Sequence, residues 1–185
     1  QVLNDRVHRF DIGSPMVGHF VALGMFGAAG TAAFVVAKRR IERGDDIVEP
    51  AYPAPPTSEF VTSGPKSVVP FDTIGKEGRR FVLMALAADE ISAVMNEPAI
   101  DPIRIVGGYE AAEGTEERAR LCLAELESLG AFDRSLICIA SPTGVGYVSY
   151  TFAESLEYLT RGDCAIVIPQ YALVPSAMAL FDTHD

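Results

Sequence analysis

The stretch Leu136-Ile137-Cys138-Ile139-Ala140-Ser141-Pro142-Thr143-Gly144-Val145-Gly146-Tyr147 decides the fold class of this chain. Its first five residues form an uninterrupted apolar run, which predicts a buried β-strand. The Gly-rich turn that follows precedes a segment, 151–161, with helical spacing. Turns between a buried strand and a helix are places where α/β proteins bind ligands. The candidate site residues in this turn are Ser141, Thr143, Gly144, Val145, Gly146 and Tyr147.

Two further apolar runs extend the pattern. One covers 103–106 and ends in Gly107 and Gly108, and the other covers 164–169. A helix is predicted between the strands at 103–106 and 136–140, with Thr115 as its N-cap and Gly130 as the residue that ends it. The order β-α-β-α-β with apolar strands predicts a parallel sheet with right-handed crossovers.

The carboxyl ends of parallel strands lie along one edge of a sheet, and ligands bind at that edge. The turns after the other two strands therefore face the same way as the turn at 141–147. They add four candidate residues to the pocket: Gly108, Tyr109, Gln170 and Tyr171. The alternative interpretation is that these Gly-rich turns are only tight connections between strands and helices.

The chain upstream of the strands divides into segments of different composition. We predict an N-terminal segment at 1–43, a linker at 44–76 and an α/β domain at 77–185. The linker is rich in proline and glycine but ends in an apolar stretch, so we expect it to pack on the domain. Within the domain we also predict a short strand at 79–82 and a helix at 87–96.

Residues 16–37 carry no formal charge and are rich in apolar and small side chains. A helix of this length spans about 33 Å, enough to cross a hydrocarbon core of about 30 Å. Lys38, Arg39 and Arg40 follow at once, as on the cytoplasmic flank of a membrane span. We therefore predict a transmembrane helix at 16–37, with membrane lipid as a partner and small residues suited to contact partner subunits. A buried or interfacial helix is the alternative.

Charge and cysteine content limit the possible partners. The 185-residue chain has a formal net charge of −10, which argues against nucleic-acid binding. Residues 1–43 nevertheless hold six of the 15 basic residues and three of the 25 acidic ones. The three cysteines are widely spaced, which favours buried free thiols and excludes a zinc motif. We predict a protein of the cell membrane whose α/β domain lies on the cytoplasmic side.

The turn at 141–147 lacks the residues of two common chemistries. Gly144-Val145-Gly146 begins a dinucleotide-like motif, but Ser149 replaces its third glycine and Gln170 stands where an acidic ribose partner is expected. No GxSxG nucleophile motif occurs in the chain. We predict no cofactor and no metal, and we expect backbone N–H groups of 144–147 to line the oxyanion side of a pocket.

The chain resembles a bacterial, largely actinobacterial, α/β-hydrolase family whose members carry an N-terminal membrane segment. The matching segments cover roughly 60–176. They are SGPKSVVPFDTIG (63–75), GRRFV (78–82), PIRIVGG (102–108), ERA (117–119), EL (125–126), GAFDR (130–134), SPTGVGY (141–147), EYL (157–159), GDCA (162–165) and QY (170–171).

The resemblance implies an incomplete sheet of α/β-hydrolase type, the N-terminal part of a catalytic domain. In such families the nucleophile follows a further helix and strand, so we expect it outside this chain. The function expected is that of a membrane-anchored serine hydrolase, an esterase that acts on an ester or acyl substrate, with a lipid among the candidate substrates. The alternative is a non-catalytic, hydrolase-like membrane subunit that serves in protein interaction.

Overall fold

The computed structural model describes residues 15–45 and 52–179. The chain divides into two units, residues 1–40 and residues 41–185. Helix α1, Pro15–Asp45, begins in the first unit. Several of its large apolar side chains are exposed, among them Leu23, Met25 and Phe26, whereas Phe34 is half-buried.

The apolar stretch at 16–37 is helical, as predicted, but its role as a membrane span is not supported. Within the described residues, none of the helices combines the length and the apolar character needed to cross a membrane.

The second unit contains a short sheet and five α-helices among its described residues. In chain order these elements are α2 Lys76–Leu83, α3 Ala88–Met95, β1 Ile103–Gly107, α4 Gly114–Ser128, β2 Leu136–Ile139, α5 Tyr150–Thr160, β3 Cys164–Pro169 and α6 Ser176–Ala179. Single 3-10 turns occur at Phe71–Thr73 and Ala131–Asp133.

The three strands form a parallel sheet in the order β1-β3-β2, which confirms the predicted α/β fold. Side chains alternate between the two faces of β3. Ile166 and Ile168 join a cluster with Phe81 of α2 and Ala153 of α5, whereas Val167 lies in a second cluster packed against α4. Helices therefore cover both faces, as expected for a parallel sheet.

The two edges of the sheet differ. Beside β1, the Thr62 amide donates to the Arg104 carbonyl and the Arg104 amide donates to the Phe60 carbonyl. At the other edge, β2 has no further strand beside it among the described residues, and Ile139 is 74% exposed. The prediction that β2 is a buried strand is therefore wrong, because β3 takes the central position.

Two other local predictions are corrected. Residues 79–82 are helical and lie within α2, where Phe81 and Val82 are buried. Helix α4 begins at Gly114, and Glu113 takes the N-cap position instead of Thr115. The predicted helix at 87–96 is confirmed as α3.

A buried ion pair joins the layers of this unit. The Arg104 guanidinium donates to both carboxylate oxygens of Glu157, with N–O distances of 2.6 and 2.9 Å, and both side chains are fully buried. The same guanidinium donates to the Phe81 carbonyl over 2.8 Å. One side chain of β1 therefore holds α2 and α5 together.

The segment before α2 is held by a second buried carboxylate. Glu125 of α4 accepts a hydrogen bond from the Ser67 hydroxyl over 2.7 Å and one from the Val68 amide over 2.8 Å. Val61, Val69 and Ile74 of this segment are buried.

Candidate functional site

A groove lies at the carboxyl edge of the sheet, where all three strands end. Its volume is about 650 Å³, within the range of about 300–1,000 Å³ that is common for small-molecule sites. The turn after β1 contributes Tyr109, the turn after β2 contributes Ser141 and Pro142, and the turn after β3 contributes Gln170 and Tyr171. The remaining wall is one face of α4, and most of the lining is apolar.

Gln170 supplies a buried polar group in the wall of the groove. Its side chain is 3% exposed, and Nε2 donates to the Ala172 carbonyl over 2.8 Å. That bond fixes the orientation of the amide. Oε1 is buried and has no hydrogen-bond partner among the described residues. Because an unmet buried acceptor is costly, a donor from a ligand or a water molecule would stabilise this position.

Arg118 of α4 brings a cation to one end of the groove. Its guanidinium lies 4.6 Å from the centre of the Tyr109 ring, and Nη2 donates to the Thr115 hydroxyl over 3.2 Å. The side chain also lines an adjoining cavity of about 410 Å³ that Glu110 and Glu113 share. Within the described ranges, Arg118 forms no ion pair with either carboxylate.

Most of the amide groups at 144–147 already have hydrogen-bond acceptors in the chain. The Gly146 amide donates to the Thr143 carbonyl over 2.8 Å, and the Tyr147 amide donates to the Thr143 hydroxyl over 3.2 Å. The Gly144 amide donates to the Ser176 hydroxyl over 3.1 Å. Three of the four N–H groups expected to face an oxyanion therefore have acceptors in the chain, so this conformation does not support that role.

Close packing explains both glycines of the turn. A Cβ atom on Gly144 would overlap the Val174 carbonyl oxygen, so the backbone reaches the segment after β3 only without a side chain. Gly146 has φ +88°, a conformation that glycine adopts at little cost, and its open side faces the Gln170 amide. The turn is thus closely packed against the segment after β3.

The reactive groups near the groove do not form a catalytic set. Ser141 lines it, but the sequence has no histidine between residues 20 and 183. His8, His19 and His184 lie outside the residues whose side chains are described. Burial raises the pKa of the Cys122 thiol, and the Glu125 carboxylate adds to the rise, so this thiol is a weak nucleophile.

Metal-ligating side chains are also dispersed. In the part of the chain that the structure describes, no three His, Cys, Asp or Glu side chains are grouped for a metal ion.

Two family models match the chain. A model described as an alpha/beta-hydrolase family matches residues 103–185, and a model described as the N-terminus of that family matches residues 2–85. The chain belongs to this α/β-hydrolase family. No curated protein and no solved structure matches it. The family assignment agrees with the parallel sheet, whereas a bacterial origin and a membrane segment stay predictions.

The structure brings together four of the predicted site residues in this hydrolase-family groove. They are Tyr109, Ser141, Gln170 and Tyr171. Thr143, Gly144, Val145, Gly146 and Tyr147 do not line it, and Gly108 is buried against the Thr73 carbonyl. The Tyr171 hydroxyl donates to Ser176 over 2.7 Å, which links Tyr171 to the same hydroxyl that holds Gly144.

Sequence reasoning missed the contribution of α4. Thr115, Arg118, Cys122 and Leu126 line the groove and recur at intervals of three or four residues. This spacing places them on one helix face, and that face follows the first strand directly. The same spacing is typical of any helix that packs on a sheet, so by itself it does not indicate a groove.

Proposed function

We propose that this chain forms one wall of the active site of a serine-type hydrolase that acts on an ester or acyl substrate. The observation that carries the proposal is the groove at the carboxyl edge of the sheet. Its apolar lining suits an acyl chain, and its few polar groups suit an ester or its leaving group. Membership of an α/β-hydrolase family supports the reaction class.

The nucleophile in this proposal comes from sequence other than these 185 residues. The sequence has no GxSxG motif, and among the described residues no imidazole lies beside Ser141. The chain would then bind and orient the acyl part of the substrate, while a serine, base and acid from elsewhere carry out the transfer.

Labelling with a fluorophosphonate probe tests the catalytic part of the proposal. The protein encoded by the whole gene should be labelled, and an ester with a long acyl chain should protect it. Absence of labelling in a folded sample would contradict a serine hydrolase. That outcome would favour the alternative function, a non-catalytic interaction subunit, for which the exposed apolar side chain of Ile139 at the sheet edge offers a contact.

A pair of leucine variants tests whether the groove takes the acyl chain. Leu123 lines the groove and is 49% exposed, and Leu159 of α5 lies outside it and is 70% exposed. Leu123→Arg should lower kcat/KM for a long-chain ester about tenfold or more, because it places a charge in an apolar subsite. Leu159→Arg should leave kcat/KM unchanged. Equal effects of the two variants would argue against this groove.

Membrane association is a separate part of the proposal. Its support is the uncharged stretch at 16–37 together with the exposed Leu23, Met25 and Phe26 of α1. Phe26→Glu should reduce the fraction of protein that floats with lipid vesicles, whereas Phe132→Glu, at an exposed position of the second unit, should not. Equal flotation of both variants would remove α1 from this role.

The cytoplasmic position of the α/β domain is proposed on the charge that follows 16–37 and on three free cysteines. Protease digestion of inverted membrane vesicles should degrade this domain, and digestion of intact cells should spare it.

A further inference from the structure

We propose that the groove binds an anionic amphiphile, with the apolar chain along α4 and the end of β2 and the anionic group held by Arg118. This inference rests on the proposed function, because it names the class of acyl compound that the same groove takes. It assigns a specificity-determining role to Arg118, which lies in a segment that carries the family resemblance but has no role from it.

The apolar part of the groove is continuous with the core of the second unit. Leu126 and Val167, which belong to the core cluster packed against α4, line it together with Leu123, Ile139 and Pro142. Ile139 is 74% exposed, so a large apolar surface faces this space uncovered. Each buried methylene of an alkyl chain gains about 0.8 kcal/mol on leaving water, which favours a ligand with a long chain.

The positive charge of Arg118 favours a ligand with an anionic group at the end of that chain. Its guanidinium is half-buried and is held by the Tyr109 ring and the Thr115 hydroxyl. Only one of its N–H groups has a hydrogen-bond acceptor among the described residues, and no carboxylate neutralises it there. A guanidinium binds carboxylate and phosphate oxygens in pairs, and such charge-assisted bonds are stronger than neutral ones.

Other charges near Arg118 do not remove this preference. Glu110 and Glu113 line the adjoining cavity, but neither pairs with Arg118. Arg120, two residues along α4, is engaged by Glu116 and Glu117 and does not line the groove. Arg118 is therefore available to a ligand, and Arg120 serves as a matched control.

Gln170 lines the groove and carries a buried acceptor, Oε1, that lies beside Gly146. The residue is only 3% exposed, yet Oε1 has no hydrogen-bond partner among the described residues. An acceptor at this position suits a hydroxyl on the ligand or an ordered water molecule beside it.

Calorimetric titration of the full chain tests the inference with three probes of equal chain length: dodecanoate, dodecyl phosphate and dodecanol. Both anions should bind about tenfold more tightly than dodecanol, as expected for one charge-assisted contact. Arg118→Met should abolish this difference, Arg118→Lys should retain part of it, and Arg120→Met should retain all of it. Circular dichroism confirms that each variant is folded.

Each outcome decides one question. Tighter binding of dodecanoate identifies a free fatty acid, the product of acyl hydrolysis, and tighter binding of dodecyl phosphate identifies a phosphorylated lipid headgroup; both support the inference. Equal binding of dodecanol and the anions, or equal losses in Arg118→Met and Arg120→Met, would overturn it. If fluorophosphonate labelling fails while the anion preference persists, the catalytic proposal fails and the binding site stands.

Discussion

The buried pair of Arg104 and Glu157 allows a quantitative test of what holds the second unit together. Glu157→Leu would remove the carboxylate that accepts two bonds from the guanidinium, at 2.6 and 2.9 Å. Arg104 would remain fully buried with a single acceptor, the Phe81 carbonyl. Because the charge cannot reach water without opening the contact between α2 and β1, the variant must carry an uncompensated cation in its core.

Removing one partner of a buried pair costs about 3–5 kcal/mol, whereas replacing both with apolar residues is often close to neutral. Domains of this size are stable by about 5–15 kcal/mol, so either single variant should lose a large fraction of its stability. The double variant Arg104→Met, Glu157→Leu leaves the Phe81 carbonyl without its donor, which costs about 1–3 kcal/mol. We therefore expect the double variant to be more stable than either single one.

Urea unfolding of the unchanged protein, the two single variants and the double variant, followed by circular dichroism, measures the coupling energy between Arg104 and Glu157. The losses of the two single variants should sum to at least about 2 kcal/mol more than the loss of the double variant, since a pair in contact is not additive. Additive losses would refute the reasoning, because they would mean that neither charge depends on the other. A control pair on the surface, Arg161 and Glu97, should show coupling of no more than about 1 kcal/mol.

Two further predictions concern local contacts. Gly144→Ala should lower the free energy of unfolding by about 1–3 kcal/mol, because the new Cβ would overlap the Val174 carbonyl oxygen. The control Gly27→Ala, where the new Cβ would have nothing within 4 Å, should not destabilise its helix. A Gly144→Ala variant as stable as the unchanged protein would refute the packing argument. The Ser135 hydroxyl and amide lower the pKa of Asp163, so its stabilising effect is present above the ordinary aspartate pKa of about 3.9 and is lost as pH falls through the lowered value. Asp163→Asn should flatten the decline of melting temperature with acid, and an unchanged decline would exclude this contribution.

Periodicity and strand-turn patterns were sufficient for much of the fold. The three strands, the helices between them and the parallel arrangement follow from apolar runs separated by turn residues. They did not reveal the state of 79–82, because two arginines followed by two apolar residues are too short a pattern to distinguish a strand from a helix. The helix is favoured by packing of Phe81 and Val82 against residues distant in sequence.

The position of β2 in the sheet could not be read from its composition. Leu136, Ile137, Cys138 and Ile139 are as apolar as the residues of β3, yet β3 is central and β2 is at an edge. Strand order depends on how the crossover helices pack, which no local pattern states. The burial predicted for Ile139 failed for this reason.

Four residues that line the groove were predicted from the sequence, but the contribution of α4 was not. The rule that ligands bind at the carboxyl ends of parallel strands led to Tyr109, Ser141, Gln170 and Tyr171. Three of the four amide groups at 144–147 have acceptors within the chain, and one of these acceptors is Ser176, which lies beyond α5 and β3 in the sequence. A hydrogen bond between residues so far apart in the sequence depends on the tertiary fold, so a local motif does not predict it.

The unequal edges of the sheet determine the direction in which it can grow. Residues 60–62 hydrogen-bond to the backbone of β1. Among the described strands, β2 alone therefore has an edge whose backbone groups could pair with an additional strand. The residues that follow β2, Ser141 and Pro142, line the groove. A parallel strand added at β2, from this polypeptide or another, would end next to those residues. Growth of the sheet and completion of the groove would then be one event, and any residue at the tip of that strand would face the bound ligand.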